Sequence, residues 1–473
     1  MLHKLTKFLF REFGQCKERY WLRMNETIEE ADSIDSMQQY FIEQKSAIEL
    51  QAQKLLQKKV GRKFEVQKEI ETETLKVKID FYEHYESEGK TAIYEVFNSR
   101  AFKSHKLWDL AFMYHVLKQA GEPITKVFAI FINPDYIYTG GEIECEQFLC
   151  VSDVTSKVKK ILFKVGKKVA EAIEYAKKPL FMLYPEGHQC NNRDCLALKR
   201  FHPNPIGSVS EFKGIDKEGY KKLLGENIRE LEDIPESYII TEQQKLQILL
   251  SKSNEPIINK EALKIWLEKL RYPLYFIDYE AITSSIPVYP NSKPFQHVVF
   301  QYSLDIIKEA GDKAQHFEFL PKGKEYPTPA LLAALSSQVP LEGGTFLVWH
   351  DSFEKARNRE MAELYPEYGP LLESINERTV DMEKVFNQDA GIYLHPGFKG
   401  RSSIKTVLPV LLPDEGSYAD LDIADGMLAA ILWYRYLNDS LGDLSPELLR
   451  RQLLEYCGLD TLAMVKILAF LKS

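Results

Sequence analysis

Two acidic residues end an apolar segment near the middle of the chain: Asp278 and Glu280, in the sequence LYFIDYE. Residues two apart on a β-strand point to the same side, so the two carboxylates would lie together. Neighbouring carboxylates repel each other unless a cation lies between them, and Mg²⁺ prefers carboxylate oxygens among protein ligands. The pair therefore predicts a magnesium site, with a solvated strand end as the alternative.

Two later segments carry acidic residues that would complete such a site. Glu354 follows Phe353 where a helix is predicted to begin directly after a strand. Tyr456 and Asp460 are four residues apart in a helical pattern, which places the phenol and the carboxylate on one helix face. The order is thus a strand with Asp and Glu, a Phe-Glu pair at a helix start, and a helix with Tyr and Asp.

This order of motifs resembles that of the DEDD exonucleases, the DnaQ-like branch of the RNase H-like superfamily. Several segments in roughly residues 265–473 also resemble an uncharacterised bacterial family in which such a domain follows a RecB-like nuclease. They are YPLYFIDYEAI, PFQHVVFQYSL, FEKARNREMAELYPEY, HPGFKGRSSIKTVLP and LLEYCGLDTLAMV. The resemblance implies an RNase H-like fold with a two-metal site for Mg²⁺ or Mn²⁺ that hydrolyses phosphodiester bonds.

The same resemblance implies a role for each acidic residue. Asp278 and Glu280 would be the first metal ligands, and Asp460 would be the last. Glu354 would take the second acidic position of the family pattern. Tyr456 would orient the attacking water or help to deprotonate it.

Two positions depart from the DnaQ-like pattern. His350 and Asp351 precede the Phe-Glu motif in place of the family's usual Asn, and Glu354 stands where those enzymes carry Asp. Asp351 and Asp381 are therefore open alternatives for the missing carboxylate. A helix cap or a surface charge is the competing interpretation for Asp381.

Two basic features would attract a phosphate backbone with salt-sensitive affinity. One is a predicted helix in which lysines recur every three or four residues beside an apolar stripe: Lys157, Lys160, Lys164 and Lys168. The other is Lys405, which together with Ser403 precedes an apolar helix in SSIKTVLP. For both features, a solvated helix face is the alternative.

The N-terminal part carries a second acidic pattern. Asp80 ends the predicted strand LKVKID, and Glu95 lies in the next strand, IYEVF. This pattern resembles the RecB-like PD-(D/E)XK nucleases, which have a restriction-endonuclease fold and use a lysine to assist the water beside the metal. Phe97 stands where the resemblance calls for lysine, and Met113 stands where such enzymes have a helical Gln. We therefore expect an N-terminal domain that binds or guides nucleic acid but is impaired in catalysis.

Three cysteines of the same region have a pattern of their own. Cys16, Cys190 and Cys195 resemble the cluster framework of RecB-like, CRISPR-associated exonucleases, which hold a [4Fe–4S] cluster with four cysteines. The fourth cysteine is absent, and His202 would complete a Cys₃His set suited to zinc. A lost cluster with ordinary thiols remains an equal alternative.

The charge of the chain is divided unevenly between its two parts. The whole chain of 473 residues has a net charge of -8. Residues 1–200 carry 32 Lys and Arg against 29 Asp and Glu, whereas residues 201–473 carry 29 against 40. The excess of acid thus lies in the part whose motifs require carboxylates, so the net charge does not argue against a partner made of nucleic acid.

The composition and the order of elements predict two globular domains. A content of 45% hydrophobic and 27% charged residues excludes a disordered chain. The sequence has no membrane span and no secretory signal, so a cytoplasmic protein is expected. Alternating strands and helices predict α/β structure in residues 1–204 and 265–473, with a helical linker over residues 205–264.

The predicted function is that of a metal-dependent nuclease. We expect a 3′–5′ exonuclease, acting through the C-terminal site on DNA rather than RNA. The alternative is a non-catalytic subunit of a defence or repair complex, including antiviral defence, that binds nucleic acid or acts as a scaffold. A third possibility is that Asp80 and Glu95 cut and the C-terminal domain is structural.

Overall fold

The structure is a computed structural model, and it describes residues 3–26, 36–58, 63–85, 90–179, 195–201, 207–253, 255–415, 418 and 421–473. The chain divides into two compact units of mixed α/β structure. Unit 1 comprises Met1–Glu230 and Ser284–Phe295, and unit 2 comprises Leu231–Thr283 and Gln296–Ser473.

The predicted linker, residues 205–264, does not form a separate unit. Within its described part, Ser208 pairs with Glu230 in an isolated β-bridge of unit 1. The short strand Ile257–Ile258 pairs instead with Tyr393–Leu394 of unit 2. The boundary between the units falls inside the predicted linker because the backbone hydrogen bonds of this segment are divided between the two units.

Unit 1 is built around one mixed sheet. In chain order, its helices and strands in the described part of the chain are α1 (Lys7–Gln15), α2 (Lys17–Asn25), α3 (Ser36–Gln57), β1 (Lys63–Glu71), β2 (Lys76–Tyr85), β3 (Lys90–Phe97), α4 (Ser104–Gln119), β4 (Ile124–Ile132), α5 (Cys145–Phe148), β5 (Leu149–Asp153), α6 (Thr155–Ala176), α7 (Leu196–Phe201) and α8 (Lys217–Gly225). The strands pair in the order β1-β2-β3-β4-β5. Strands β3 and β4 are parallel, and the other neighbours are antiparallel.

Helices cover both faces of this sheet. On strand β3, Ile93 and Phe97 belong to the core that includes residues of α1, α4 and α6. Tyr94 and Val96 belong to the core that includes residues of α3. Because side chains alternate along a strand, Glu95 points to the same face as Ile93 and Phe97. A carboxylate in such a core requires a charged or hydrogen-bonding partner.

Unit 2 contains a second mixed sheet and a longer series of helices. In chain order, its elements in the described part of the chain are α9 (Glu242–Lys252), β6 (Ile257–Ile258), α10 (Lys260–Glu268), β7 (Leu274–Ile282), β8 (Val298–Ile307), β9 (Gln315–Phe319), α11 (Thr328–Gln338), β10 (Thr345–Val348), α12 (Ser352–Leu364), α13 (Gly369–Arg378), β11 (Thr379–Asp381), α14 (Glu383–Phe386), β12 (Tyr393–Leu394), α15 (Ile404–Leu411), α16 (Gly426–Leu437) and α17 (Pro446–Lys472). Across the described ranges, we find no helix with both the length and the apolar character that a membrane span requires.

Strand β7 is the central strand of the five-stranded sheet in unit 2, whose order is β11-β10-β7-β8-β9. Strand β10 runs parallel to both β7 and β11. Strand β8 is antiparallel to β7 and to β9. A central strand is covered on both faces, which explains why the apolar run of β7 is almost entirely buried.

The two faces of β7 have different neighbours. Tyr275, Ile277 and Tyr279 belong to a core that includes residues of α11, α12 and α13. Helix α17 packs against β7 and β8. The alternation of side chains turns Asp278 and Glu280 away from that apolar core and toward Asp460, which lies on α17.

Candidate metal centre

Three of the predicted acidic residues form one cluster in unit 2. Asp278 and Glu280 on β7 and Asp460 on α17 each offer a carboxylate oxygen, and these oxygens all lie within 4.8 Å of one another. Glu280 and Asp460 are buried, whereas Asp278 is partly exposed. It is the one group of three or more metal-ligating side chains found within the described ranges. The spacing of two residues on the strand and the placement of Asp460 on a helix agree with the sequence pattern.

Burial and mutual repulsion make this cluster electrostatically costly. Loss of solvent contact, together with the negative charge of Asp460, holds the pKa values of Asp278 and Glu280 well above their ordinary values. The pKa of Asp460 rises to about 6 because the group is desolvated. Three carboxylates in one buried place therefore retain protons unless positive charge is supplied.

Lys405 supplies one positive charge at the cluster. Its Nζ donates a hydrogen bond to the carbonyl oxygen of Ala424 at 2.6 Å. The ammonium lies 5.3 Å from the ring centre of Tyr456 and 5.6 Å from that of Tyr418. Its charge lowers the pKa values of Glu280 and Asp460. The predicted contact of Lys405 with a phosphate stays a prediction.

Two phenols hold Asp460 in place. The hydroxyl of Tyr418 donates to Oδ1 of Asp460 at 2.5 Å, and a hydrogen bond from Tyr456 also lowers the pKa of Asp460. The rings of Tyr418 and Tyr456 meet edge to face, with centroids 6.4 Å apart. Burial and the nearby carboxylates raise the pKa of both phenols above the ordinary value. Both phenols are thus neutral donors at neutral pH.

Glu354 lies close to the cluster but outside its tightest group. It occupies the first turn of α12, as the sequence predicted, and its side chain is buried. Its Oε2 has no hydrogen-bond partner among the described residues. Burial, with smaller contributions from the charges of Asp381, Asp351 and Asp460, raises the pKa of Glu354 to about 8. Glu354 therefore has an oxygen available for a cation.

The two alternative carboxylates already have other partners. Oδ1 of Asp381 accepts hydrogen bonds from the backbone N–H groups of His350 and Glu383, both at 3.0 Å. Asp351 accepts a hydrogen bond from Lys355 at 2.7 Å. Neither Asp381 nor Asp351 belongs to the group of clustered oxygens. Asp381 instead fixes the loop after β10, where His350 has a positive φ of 73°.

Two side chains at the cluster were absent from the sequence-based prediction. Tyr418 lies in GSYAD, a segment without a helical or strand pattern to connect it to Asp460. Cys457 is buried, and its Sγ donates to Oδ2 of Asp278 at 3.5 Å. Its position three residues before Asp460 was the available signal, since side chains three apart are neighbours on a helix surface.

The acidic pair of unit 1 has a different charge balance. Asp80 and Glu95 are both buried, on the neighbouring strands β2 and β3. Lys7 of α1 donates a hydrogen bond to Glu95, and the Nζ of Lys45 on α3 lies 3.4 Å from Oδ1 of Asp80. The backbone N–H of Val96 also donates to Oδ2 of Asp80 at 2.8 Å. Each of the two carboxylates thus has an ammonium group beside it, although Lys45 also pairs with Glu49 of α3, at 2.9 Å.

The position of the missing lysine is filled by a core residue. Phe97 is buried, and its ring centroid lies 5.7 Å from that of Phe102. Burial and the charge of Asp80 raise the pKa of Glu95 to about 7, although Lys7 and Lys45 oppose the shift. The cations of this pair therefore come from helices α1 and α3 rather than from strand β3.

The structure describes two of the four residues of the predicted cysteine site, Cys16 and Cys195. Sγ of Cys16 lies 3.8 Å from Sγ of Cys195, and both residues are buried. The structure thus brings the start of α2 next to the residue before α7, as the resemblance implied. Cys190 and His202 lie outside the described residues.

The predicted lysine surface is only partly exposed. Lys157, Lys160 and Lys164 are exposed on α6. The Nζ of Lys168 lies instead 5.4 Å from the ring centre of Phe10 and 5.2 Å from that of Trp108. Because the long side chain of Lys168 folds over these rings, it does not belong to the exposed face.

Comparisons with known proteins match parts of the chain. Residues 275–403 match the profile of a domain of unknown function (DUF2779). That range contains the strand residues Asp278 and Glu280 as well as Glu354, but ends before Asp460.

Three curated relatives are uncharacterized proteins. The MG366 homolog of Mycoplasma pneumoniae is 28% identical over 44% of this chain and 33% of its own length. MG366 of Mycoplasma genitalium is 30% identical over 43% of this chain and 33% of its own length. UU173 of Ureaplasma parvum is 25% identical over 47% of this chain and 34% of its own length. The chain thus spans about a third of the length of these relatives.

One solved structure, the crystal structure of SSO0001, is similar to part of the chain. It covers 43% of this chain and 87% of its own, with 13% sequence identity and a TM-score of 0.23. A TM-score this low carries no argument about fold or function.

Proposed function

We propose that the protein is a metal-dependent nuclease whose C-terminal site hydrolyses phosphodiester bonds. The observation that carries the proposal is the cluster of Asp278, Glu280 and Asp460, whose oxygens lie within 4.8 Å of one another beside the ammonium group of Lys405. Such a concentration of buried negative charge is costly without further cations. A divalent ion would supply the missing charge.

The donor set fits Mg²⁺ or Mn²⁺. All three clustered ligands are carboxylates, which are hard oxygen donors. The free Oε2 of Glu354 offers a further oxygen next to the cluster. Bound there, a divalent ion would stabilise negative charge on a phosphate and lower the pKa of a bound water. Asp278, Glu280 and Asp460 would hold it, with Glu354 as the additional ligand.

Neutral phenols at the site favour one of the two roles foreseen for Tyr456. Burial raises the pKa of its hydroxyl, so the phenol keeps its proton at neutral pH. A protonated phenol orients a neighbouring oxygen by donating a hydrogen bond, and it cannot accept a proton from water. We therefore assign Tyr456 the orienting role, while Tyr418 fixes Asp460.

The mixed sheet of unit 2 supports an RNase H-like fold for the proposed nuclease domain, and the mixed sheet of unit 1 supports a PD-(D/E)XK-like fold. In unit 1, Lys7 and Lys45 lie beside Glu95 and Asp80, and Lys45 also pairs with Glu49. These lysines leave less electrostatic demand for a metal than in unit 2, so unit 1 is proposed to bind nucleic acid without cutting it. We propose 3′–5′ exonuclease action on DNA in the cytoplasm. Zinc or a [4Fe–4S] cluster at the cysteines also remains a proposal.

The test is cleavage of end-labelled DNA and RNA, single- and double-stranded, in Mg²⁺ or Mn²⁺. Wild-type protein is expected to cleave at least one substrate, and EDTA is expected to abolish cleavage. Asp278→Asn removes one clustered carboxylate and is expected to lower the rate by about a thousandfold or more. Glu373→Gln changes an exposed carboxylate on α13 and serves as the matched control. Equal rates in wild type and Asp278→Asn would sink the proposal.

A second candidate function is a non-catalytic subunit that binds nucleic acid within a defence or repair complex. The lysines beside Asp80 and Glu95 and the apolar Phe97 favour it, since neither suits metal-assisted cleavage. This candidate predicts binding of nucleic acid with no turnover under any metal condition. Asp460→Asn would then leave the biological effect unchanged.

A further inference from the structure

Helix α6 of unit 1 has one buried side and one exposed, strongly basic side. Val158, Val165 and Val169 are buried in the core of unit 1, and α6 packs against α4. Its exposed side carries five lysines in about three helical turns: Lys157, Lys159, Lys160, Lys164 and Lys167. None of these lysines forms an ion pair within the described part of the chain. The exposed side therefore presents uncompensated positive charge.

An aromatic side chain lies in the middle of these lysines. Phe163 is 85% exposed, far more than any other phenylalanine among the described residues. Lys159 precedes it by four residues and Lys167 follows it by four, so both flank it on the helix surface. Contact of an apolar ring with water is unfavourable, and an exposed ring contributes nothing to the core. A ring in this position suits a ligand with a flat apolar face and negative charges on either side.

Single-stranded nucleic acid has that combination of groups. Its phosphates pair with lysines, and its unstacked bases present flat faces to aromatic rings. In a duplex the base faces are covered by their neighbours, so a ring on a convex helix reaches only the backbone. A membrane surface fits less well, because binding in the lipid interface requires a continuous apolar helix face. The apolar face of α6 is already buried inside unit 1.

We propose that the exposed side of α6 binds single-stranded nucleic acid, with one base stacked on Phe163 and backbone phosphates on the flanking lysines. Lys168, which folds over Phe10 and Trp108, is not part of this surface. The inference rests on the proposed function in taking nucleic acid as the ligand, but it does not depend on cleavage. From Lys157 to Lys167 the helix rises about 15 Å, which suits a short stretch of strand.

The experiment measures the binding of a fluorescein-labelled single-stranded DNA of about 12 nucleotides to the full chain. Fluorescence anisotropy is recorded in EDTA, so that binding and metal-dependent cleavage are separated. Phe163→Ala is compared with Phe41→Ala, which changes another exposed ring of unit 1. Lys159→Ala/Lys167→Ala is compared with Lys54→Ala/Lys118→Ala, which removes the same charge from exposed positions on α3 and α4.

The two kinds of variant are expected to weaken binding of the oligonucleotide in different ways. Phe163→Ala should weaken binding about tenfold or more with an unchanged salt dependence, because stacking is lost. Lys159→Ala/Lys167→Ala should reduce the slope of log affinity against log salt by about 1.4, because two phosphate contacts are lost. Both control variants should bind as wild type does.

Three outcomes would overturn the proposal. One is wild-type affinity in both test variants, and another is an equal loss in the control variants. The third is binding to phosphatidylserine-containing vesicles with no binding to the oligonucleotide. A protein that binds through α6 but never cleaves would contradict the proposed nuclease while supporting this surface. Loss of binding only in the test variants supports it.

Discussion

At the scale of single residues, charge balance distinguishes the two acidic sites. The ammonium group of Lys405 acts on Glu280 and Asp460, with Asp278 beside them. Asp80 and Glu95, by contrast, each lie next to a lysine, although Lys45 also pairs with Glu49. One ammonium group beside three carboxylates leaves a larger demand for positive charge than two ammonium groups beside three carboxylates.

Removal of one carboxylate should therefore stabilise the metal-free protein. In EDTA, Asp278→Asn relieves repulsion within the cluster and is expected to raise the free energy of unfolding by on the order of 1 kcal/mol. Saturating Mn²⁺ is expected to stabilise wild type, by about 2.7 kcal/mol at one hundred times the dissociation constant. The same Mn²⁺ should have little effect on Asp278→Asn. Thermal unfolding with and without Mn²⁺ checks this, and equal responses in both proteins would contradict a metal site there.

The orienting role of Tyr456 predicts a modest loss of activity on its removal. Tyr456→Phe should lower the cleavage rate about tenfold to a hundredfold and leave the shape of its pH profile unchanged, because the phenol is protonated throughout. Tyr418→Phe is the matched variant, since it also removes a phenol bonded to Asp460. The contrary result is a cleavage rate that no longer rises with pH in Tyr456→Phe but still rises in Tyr418→Phe. That result would indicate that Tyr456 acts as a phenolate base.

The sequence pattern predicted which site residues close together in the chain share a face. It did not predict contacts between site residues that are far apart in the chain. Spacing alone predicted that Asp278 and Glu280 share a strand face and that Tyr456 and Asp460 share a helix face. The partner of Asp460, Tyr418, comes from 42 positions away, and no periodicity connects the two. Lys405 was singled out, but its direction depends on the carbonyl of Ala424, which only the folded backbone provides.

At the scale of elements, the strands with continuous apolar runs were predictable and the others were not. The predicted strand segments IYEVF and LYFIDYE lie within β3 (Lys90–Phe97) and β7 (Leu274–Ile282). Strand β1 was not predicted, because its sequence KFEVQKEIE is largely charged. Strand β11, with three residues, is too short to give a pattern. Edge strands need fewer apolar residues, since one side has no neighbour.

Helix α1 stabilises the sheet of unit 1 through a charge as well as through its apolar side. Phe10 and Phe13 of α1 lie in the core, while Lys7 pairs with the buried Glu95. Breaking a buried ion pair leaves an uncompensated charge, so Lys7→Ala is expected to destabilise the protein by about 3 kcal/mol at pH 8. The loss should be smaller at pH 5, where Glu95 carries a proton.

The sign of this pH dependence follows from the raised pKa of Glu95. Folding raises it from 4.5 to about 7, so the folded state binds more protons than the unfolded state between these values. Stability contributed by this group is therefore present at low pH and falls as pH rises through that window, at up to about 1.4 kcal/mol per pH unit. Urea unfolding of wild type, Lys7→Ala and Glu95→Gln measures it. The fall should extend to higher pH in Lys7→Ala, because the pKa of Glu95 rises further without Lys7, and the absence of any difference from Glu95→Gln would contradict the assignment.

At the scale of the whole molecule, the uneven charge of the sequence corresponds to two units with different chemistry. Unit 1 carries the acidic pair with its lysines and the basic side of α6, and unit 2 carries the clustered carboxylates. The chain order did not reveal that Ser284–Phe295 belongs to unit 1. This segment leaves the end of β7, and Asn291 donates from its backbone to Tyr138 at 2.6 Å. Such a long-range pairing has no signature in local sequence.

We propose that unit 2 cuts nucleic acid and that unit 1 does not. The most direct measurement compares Asp460→Asn with Glu95→Gln in one assay of end-labelled single-stranded DNA in Mn²⁺, with circular dichroism to verify folding. Asp460→Asn is expected to lower the cleavage rate about a thousandfold or more, because a metal ligand is lost. Glu95→Gln is expected to keep the wild-type rate. Loss of cleavage in Glu95→Gln with full activity in Asp460→Asn would contradict the claim.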